Sequence, residues 1–384
     1  MNSISITGTN AITSIGQNLR ETWEGLLNGS SGAEKVTRFK IDSFQNQRAC
    51  EIKKLIKQRT PSRTVNLLLD CIEGALKSAN LNLPLENKVV GLCIGTTMGE
   101  IEPFEKNLIH GLNELPAGPD MIGQALYEIL GLNGPLWTFT NACAAGNFAI
   151  AKAMDEVEDD EVDIMIACGV DVLSQVAFTG FSSLRAMSPD VCSPFNSGRK
   201  GLLLGEGAGA IIIEKTKDTV ERNQKPLASL CAYGFSSDGH HITQPDPEAK
   251  GAIRAIQQAL LVAKLSPKDI GYVSAHGTGT LANDYMETKA LNEVFPRNCE
   301  YHVSSIKGHI GHTLGAASVI EAVISVQALI SGILPQNLNL QEIDPLCNLP
   351  LIKDTPLKKN INYVLSNSYA FGGVNSSIIL GKVR

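Results

Sequence analysis

Residues 136–154, LWTFTNACAAGNFAIAKAM, begin with apolar and β-favouring residues, turn at small and polar residues around Cys143, and run on into alanine-rich sequence of helical character. Residues 301–329, YHVSSIKGHIGHTLGAASVIEAVISVQAL, read the same way: strand, loop, small residues, helix. The echo extends outward. VVGLCIGTTMGE (89–100) and IGYVSAHGTGT (270–280) are each a buried strand running into a Gly/Thr turn, and GLLLGEGAGAIIIE (201–214) and VLSNSYAFGGVNSSIILG (364–381) are each strand, glycine-rich turn, strand. Dividing the chain at the polar stretch KTKDTVERNQKP (215–226) leaves two similar halves, 1–225 and 226–384. An α/β fold follows, with helix-covered sheets and equivalent strand-to-helix turns meeting near a pseudo-twofold axis, where open α/β sheets place their sites.

The 384 residues are 43% hydrophobic, enough for a large core. Apolar runs such as GAIII (209–213) fall far short of the roughly 18 residues of a membrane span, and MNSISITGTNAITSIG lacks the basic-then-apolar pattern of an export signal. No membrane span is expected. The nine cysteines form no C-x-x-C pair, which points away from disulfides and zinc and toward reduced thiols in a cytoplasmic protein. A net charge of −6 argues against nucleic acid bound through a general positive field.

A lone cysteine among apolar residues is ordinarily core filling. Cys143, however, lies where a strand should end and a helix begin, so the helix dipole favours its thiolate and free N–H groups stand ready for an oxyanion. Ala144, Ala145 and Gly146 leave room for a substrate. Polar partners come from matching turns of the second half: His276 at a strand end, and Lys307 and His312 ahead of a Gly/Ala-rich helix. His309 and His312 form an H-x-x-H spacing, but no carboxylate or Cys stands nearby at ligand spacing, and no metal site is assigned. His240 and His241 read as solvated loop residues. GEGAGA (205–210) fits a loose dinucleotide pattern, yet a strand follows it where a helix is required.

NACAAG, PFNSGRKGLLLGEGAGAIIIE, SSDGHHITQPDP, SAHGTGTLANDYMET, SIKGHIGHTLGAAS and SNSYAFGGVNSS, in this order, resemble the motif series of β-ketoacyl-ACP synthases of the thiolase superfamily. The resemblance implies a thiolase-like five-layered αβαβα fold from two pseudo-duplicated halves. It implies decarboxylative Claisen condensation of an acyl thioester on acyl carrier protein (ACP) with malonyl-ACP, with no cofactor beyond the phosphopantetheine arm that carries the substrates. Cys143 would be the nucleophile and His276 and His312 would hold the enolate. Lys307 would tune the site, with Glu287 as its carboxylate partner. Phe371 would gate the site and share the oxyanion hole with the Cys143 N–H. Expected partners are ACP and either a second copy or a ketosynthase-like subunit. The different-class alternative is a non-elongating scaffold subunit.

By the same resemblance Met98 and Phe181 belong to the acyl pocket, and Arg185 lies near the pantetheine entrance. Segment 101–135 and the loop CSPFNSG look shorter than is usual, favouring a specialised polyene or polyketide synthase over a housekeeping one. An acidic ACP needs a local basic patch, and IKKLIKQRTPSR (52–63) supplies Lys53, Lys54, Lys57, Arg59 and Arg63 with no acid among them.

Overall fold

The computed structural model describes residues 3–42, 44–54, 57–111 and 118–383. Ten strands make up its main sheet: β1 (Ile4–Thr13), β2 (Val90–Gly95), β3 (Leu136–Phe139), β4 (Ile164–Asp171), β5 (Gly207–Lys215), β6 (Ala228–Ser237), β7 (Ile270–Ser274), β8 (His302–Ser304), β9 (Tyr363–Ala370) and β10 (Val374–Gly381). Their spatial order is β8-β7-β9-β10-β6-β1-β5-β4-β2-β3. Outward from the centre, β1-β5-β4-β2-β3 is mirrored by β6-β10-β9-β7-β8, position for position. Directions match too. β1/β5 and β4/β5 are antiparallel while β4/β2 and β2/β3 are parallel, and the corresponding pairs among β6 to β10 repeat this. Among the described residues the two sets pair through Ile4–Ile6 of β1 and Ala228–Leu230 of β6.

The helices that matter for the site are α1 (Arg63–Ser78), α2 (Pro119–Leu130), α3 (Ala145–Glu158), α4 (Gln175–Ser183), α5 (Lys250–Ala263), α6 (Leu281–Val294) and α7 (Ala317–Ser331). α1 covers the outer face of β1, β5 and β4, and α5 covers β6 and β10. α3 and α7 pack against strands of both sets, so they form the middle of five layers. Composition assigns these places. α1 is amphipathic and turns Leu67, Leu68 and Ile72 toward Ile94, Ile166 and Ile212. α7 is apolar nearly all round and fills the centre with Val319, Ile320 and Val323. Leu314–Ser331 is in fact long and apolar enough to cross a bilayer, with mean hydropathy 1.7, but it is the buried axis of the molecule.

Candidate active site

Two turns at the centre are built alike. Ala142–Ala144 leads into α3 and Leu314–Ala316 leads into α7, each as a short 3₁₀ turn. Each opens with a left-handed residue, Ala142 at φ 49° and Leu314 at φ 52°. Such a conformation costs an L-residue roughly 1–2 kcal/mol and persists where packing imposes it. Cys143 holds the second position of the first turn and Gly315 that of the second. Side chains are excluded where these helix entries meet: a Cβ on Gly146 would lie 2.5 Å from Val319 Cγ2.

Cys143 is buried, with Sγ 3.0 Å from His312 Nε2 and its carbonyl accepting from Ser368 Oγ at 2.8 Å. The Leu314 N–H donates to His312 Nδ1 at 3.2 Å, so the neutral ring carries its proton on Nε2 and points an N–H at the sulfur. His276 stands edge-on to His312 with centroids 5.3 Å apart. Lys307 Nζ lies 3.3 Å from His276 Nδ1 and donates to the His276 carbonyl at 2.7 Å, which likewise leaves the His276 proton on Nε2. Burial, reinforced by the Lys307 charge, holds both imidazoles well below their usual pKa, so both are neutral donors. Cys143 Sγ and one ring nitrogen of each histidine lie within 4.8 Å of one another, a spacing at which three ligands could share an ion. In these tautomers the Nε2 positions are N–H groups rather than lone pairs, so the geometry favours hydrogen-bond donation there.

The expected helix-stabilised thiolate is not the dominant effect. Burial pushes the Cys143 thiol up to about 12, with Lys307 pulling it down and Asp171 pushing it further up. The thiol is therefore protonated at neutral pH.

Lys307 pairs with Glu321 on α7, not with Glu287. Glu287, on α6, instead accepts the backbone N–H groups of His276 and Gly277, both at 2.8 Å, and fixes the loop that carries His276. Burial raises Glu287 to about 8 against the pull of those N–H groups. Glu321 was legible in principle, being the one acid in the apolar sequence SVIEAVISVQAL (318–329). His309 is turned away, its two nitrogens 2.9 and 3.2 Å from the Ser30 and Gln336 carbonyls. That dissolves the H-x-x-H hint. His240 and His241 lie on an exposed loop, His241 at the cavity mouth.

A cavity of about 350 Å³ reaches Cys143, His276 and His312 from the surface, past Phe181, Arg185 and Phe371. Phe371 stacks on Phe181 with centroids 5.7 Å apart and is 38% exposed, on a turn that Gly372 and Gly373 close at φ 83° and 74°. Met98 is not among the residues lining this cavity; it packs against the apolar cluster of Val36, Ile41 and Phe178, which also holds Phe181 and Leu202 of the cavity wall.

The basic run is mostly spent on partners. Arg63 binds Glu206, which is fully buried, at 2.7 Å and the Ile52 carbonyl at 3.0 Å. Arg59 pairs with Asp70 and Glu73, Lys53 with Glu34 and Lys54 with Glu21. These cations, expected to dock a partner, are internally neutralised; the exposed Lys57 is not so engaged among the described residues. Arg185 is exposed at the cavity mouth, as is Lys200, which the sequence reading did not single out. Segment 101–135, expected to be shorter than usual, falls partly outside the described residues; on either side of 112–117 are a helix over Glu102–His110 and α2.

Comparison with known proteins covers the whole chain. The family description "Beta-ketoacyl synthase, N-terminal domain" matches residues 1–219 and "Beta-ketoacyl synthase, C-terminal domain" matches 227–341. Among curated relatives, a 3-oxoacyl-[acyl-carrier-protein] synthase 2 of Coxiella burnetii is 32% identical, spanning 99% of this chain and 98% of that protein. The protein of the same name from Staphylococcus aureus (strain COL) matches with the same identity and coverage. Among solved structures, the ishigamide ketosynthase/chain length factor superposes with a TM-score of 0.94 at 31% identity, and a β-ketoacyl synthase from Burkholderia phymatum with 0.92 at 28%, each covering 100% of both chains. The fold is therefore thiolase-like α/β, and the chain belongs to the β-ketoacyl synthase family.

Proposed function

We propose that this protein condenses an acyl group, delivered as a thioester on ACP, with malonyl-ACP to give β-ketoacyl-ACP, with Cys143 as the nucleophile. The observation that carries this reading is the convergence of one buried thiol and two neutral imidazoles at the foot of a single open cavity.

In the first half-reaction Cys143 Sγ attacks the thioester carbonyl, a new C–S bond forms and the bond to the pantetheine sulfur breaks. The thiol proton ends on the departing sulfur, so no external base is consumed. The N–H groups of Cys143 and Phe371 hold the oxyanion. In the second half-reaction the C–C bond to the malonyl carboxylate breaks, CO₂ leaves, and its electron pair becomes an enolate. The Nε2–H groups of His276 and His312 stabilise the enolate oxygen; a pre-positioned donor of this kind is typically worth about 10²–10³ in rate. The enolate carbon then attacks the acyl carbon, and Cys143 leaves as a thiolate that takes a proton from solvent. Lys307, anchored by Glu321, orients His276 and keeps both rings neutral.

No cofactor enters this sequence. Arg185 and Lys200 at the cavity mouth, with the exposed Lys57, are cations available to an acidic carrier, and the reading places the protein in the cytoplasm, as a homodimer or beside a ketosynthase-like subunit. A non-condensing partner role would leave the thiol and imidazoles without work. Incubation with acyl-ACP and then malonyl-ACP, followed by intact-mass analysis, decides: an acyl adduct on Cys143 that is discharged as β-ketoacyl-ACP supports condensation, and no adduct on the wild-type chain supports the scaffold role.

A further inference from the structure

Asp171 ends β4 fully buried, outside the Cys143–His276–His312 cluster. Its Oδ1 accepts from the Thr96 hydroxyl at 3.0 Å and the Met98 N–H at 2.8 Å, and its Oδ2 from the Thr97 N–H at 2.9 Å and the Gly315 N–H at 2.6 Å. Three of these donors sit on the turn after β2, in the first strand set. The fourth sits on the turn that leads into α7, in the second half of the chain. Only an ionised carboxylate can face four donors without presenting a hydrogen of its own. The two turns are pressed together: a Cβ on Gly315 would lie 2.6 Å from both the Thr96 carbonyl carbon and the Thr97 nitrogen.

Gly315 adjoins Leu314, the left-handed residue whose N–H sets the His312 tautomer. The related turn at Ala142–Ala144 points to the same device, since there the position of Gly315 is taken by Cys143. Where the first turn presents the nucleophile, the second has its N–H capped by a built-in anion.

We propose that Asp171 is a positioning residue for His312: by gripping the Gly315 N–H it fixes the Leu314–Gly315 turn, which keeps His312 Nδ1 hydrogen-bonded and its Nε2–H aimed at Cys143. This rests on the condensation reading above. Burial raises the Asp171 carboxyl to about 6 against the pull of its donors, so it is still mostly ionised at neutral pH. Asp171 touches no reacting atom; its positioning effect passes through the turn to one imidazole, and its charge separately disfavours the Cys143 thiolate.

Asp171→Asn keeps the shape but turns an amide N–H against one of the backbone donors. Decarboxylation of malonyl-ACP, which uses His312, should fall by about 10- to 100-fold, while alkylation of Cys143 by iodoacetamide should not slow, because losing the Asp171 charge eases thiolate formation. ¹⁵N NMR of histidine-labelled protein should show His312 protonated on Nε2 in the wild type and redistributed between tautomers in the variant. Should Asp171→Asn not fold, Thr96→Val, which removes one donor and leaves the carboxylate, should show the same split at smaller size, with Thr96→Ser restoring wild-type behaviour. Equal losses in both reactions, or an unchanged tautomer with unchanged decarboxylation, overturns the proposal. A wild-type chain that fails to decarboxylate malonyl-ACP overturns the functional reading instead, and the tautomer measurement then decides the role of Asp171 on its own.

Discussion

At Cys143 two influences oppose each other. The helix start and Lys307 favour the thiolate, burial disfavours it, and burial is the larger, raising the thiol to about 12. A group with its pKa raised in this way gains thiolate steadily as pH rises toward that value. Alkylation of Cys143 should therefore accelerate about tenfold per pH unit from pH 7 to 10; a rate that levels off near pH 7 contradicts this. The histidines are fixed as donors by what binds their Nδ1 atoms, Leu314 N–H for one and Lys307 for the other. Their work lies with the enolate rather than with the thiol. His276→Ala and His312→Ala should each lower malonyl-ACP decarboxylation by about 10²–10³ while slowing acyl loading far less, measured as separate half-reactions. Equal loss of both would assign the rings a structural role.

Elements place these groups by meeting at their ends. Cys143 rides the entry to α3, His312 the entry to α7, and His276 the end of β7, held from below by Glu287 of α6. Glu321 belongs to the same logic, because α7 is buried along its length from Ala317 to Val326 and an acid within that stretch needs a partner inside the fold. Lys307 and Glu321 are both almost completely enclosed. Glu321→Gln should cost about 3–5 kcal/mol in urea unfolding, since it strands a buried ammonium. It should also reduce condensation, because Lys307 then loses the anchor that holds it on His276. A loss below about 1 kcal/mol would mean that water or a rearranged partner replaces the carboxylate.

On the scale of the molecule, Lys53, Lys54, Arg59 and Arg63 of the basic run are consumed by internal pairing, and that redirects the docking question. Arg63→Ala should destabilise the fold by about 3–5 kcal/mol, because it leaves the buried Glu206 unpaired, with no selective effect on carrier-bound substrates. Arg185→Glu, at the cavity mouth, should raise the apparent KM for acyl-ACP by about tenfold or more and leave a small acyl thioester unaffected. A Michaelis comparison of the two substrates checks both. Much of this molecule was readable in advance. The duplicated pattern of strand, small-residue turn and helix determined two similar halves of helix-covered strands, the family resemblance added the five layers, and the turn residues at 143, 276, 307 and 312 marked where polar groups gather, because local sequence decides where strands end and which residues can sit in tight turns. Only the folded chain decided that Lys307 takes Glu321 rather than Glu287, that Met98 packs in the apolar cluster behind Phe181, that Arg59 and Arg63 are internally paired, and that the thiol is protonated at neutral pH. Each of those depends on distances between residues far apart in the chain and on how thoroughly water is excluded around them, and neither quantity is written in any one stretch of sequence.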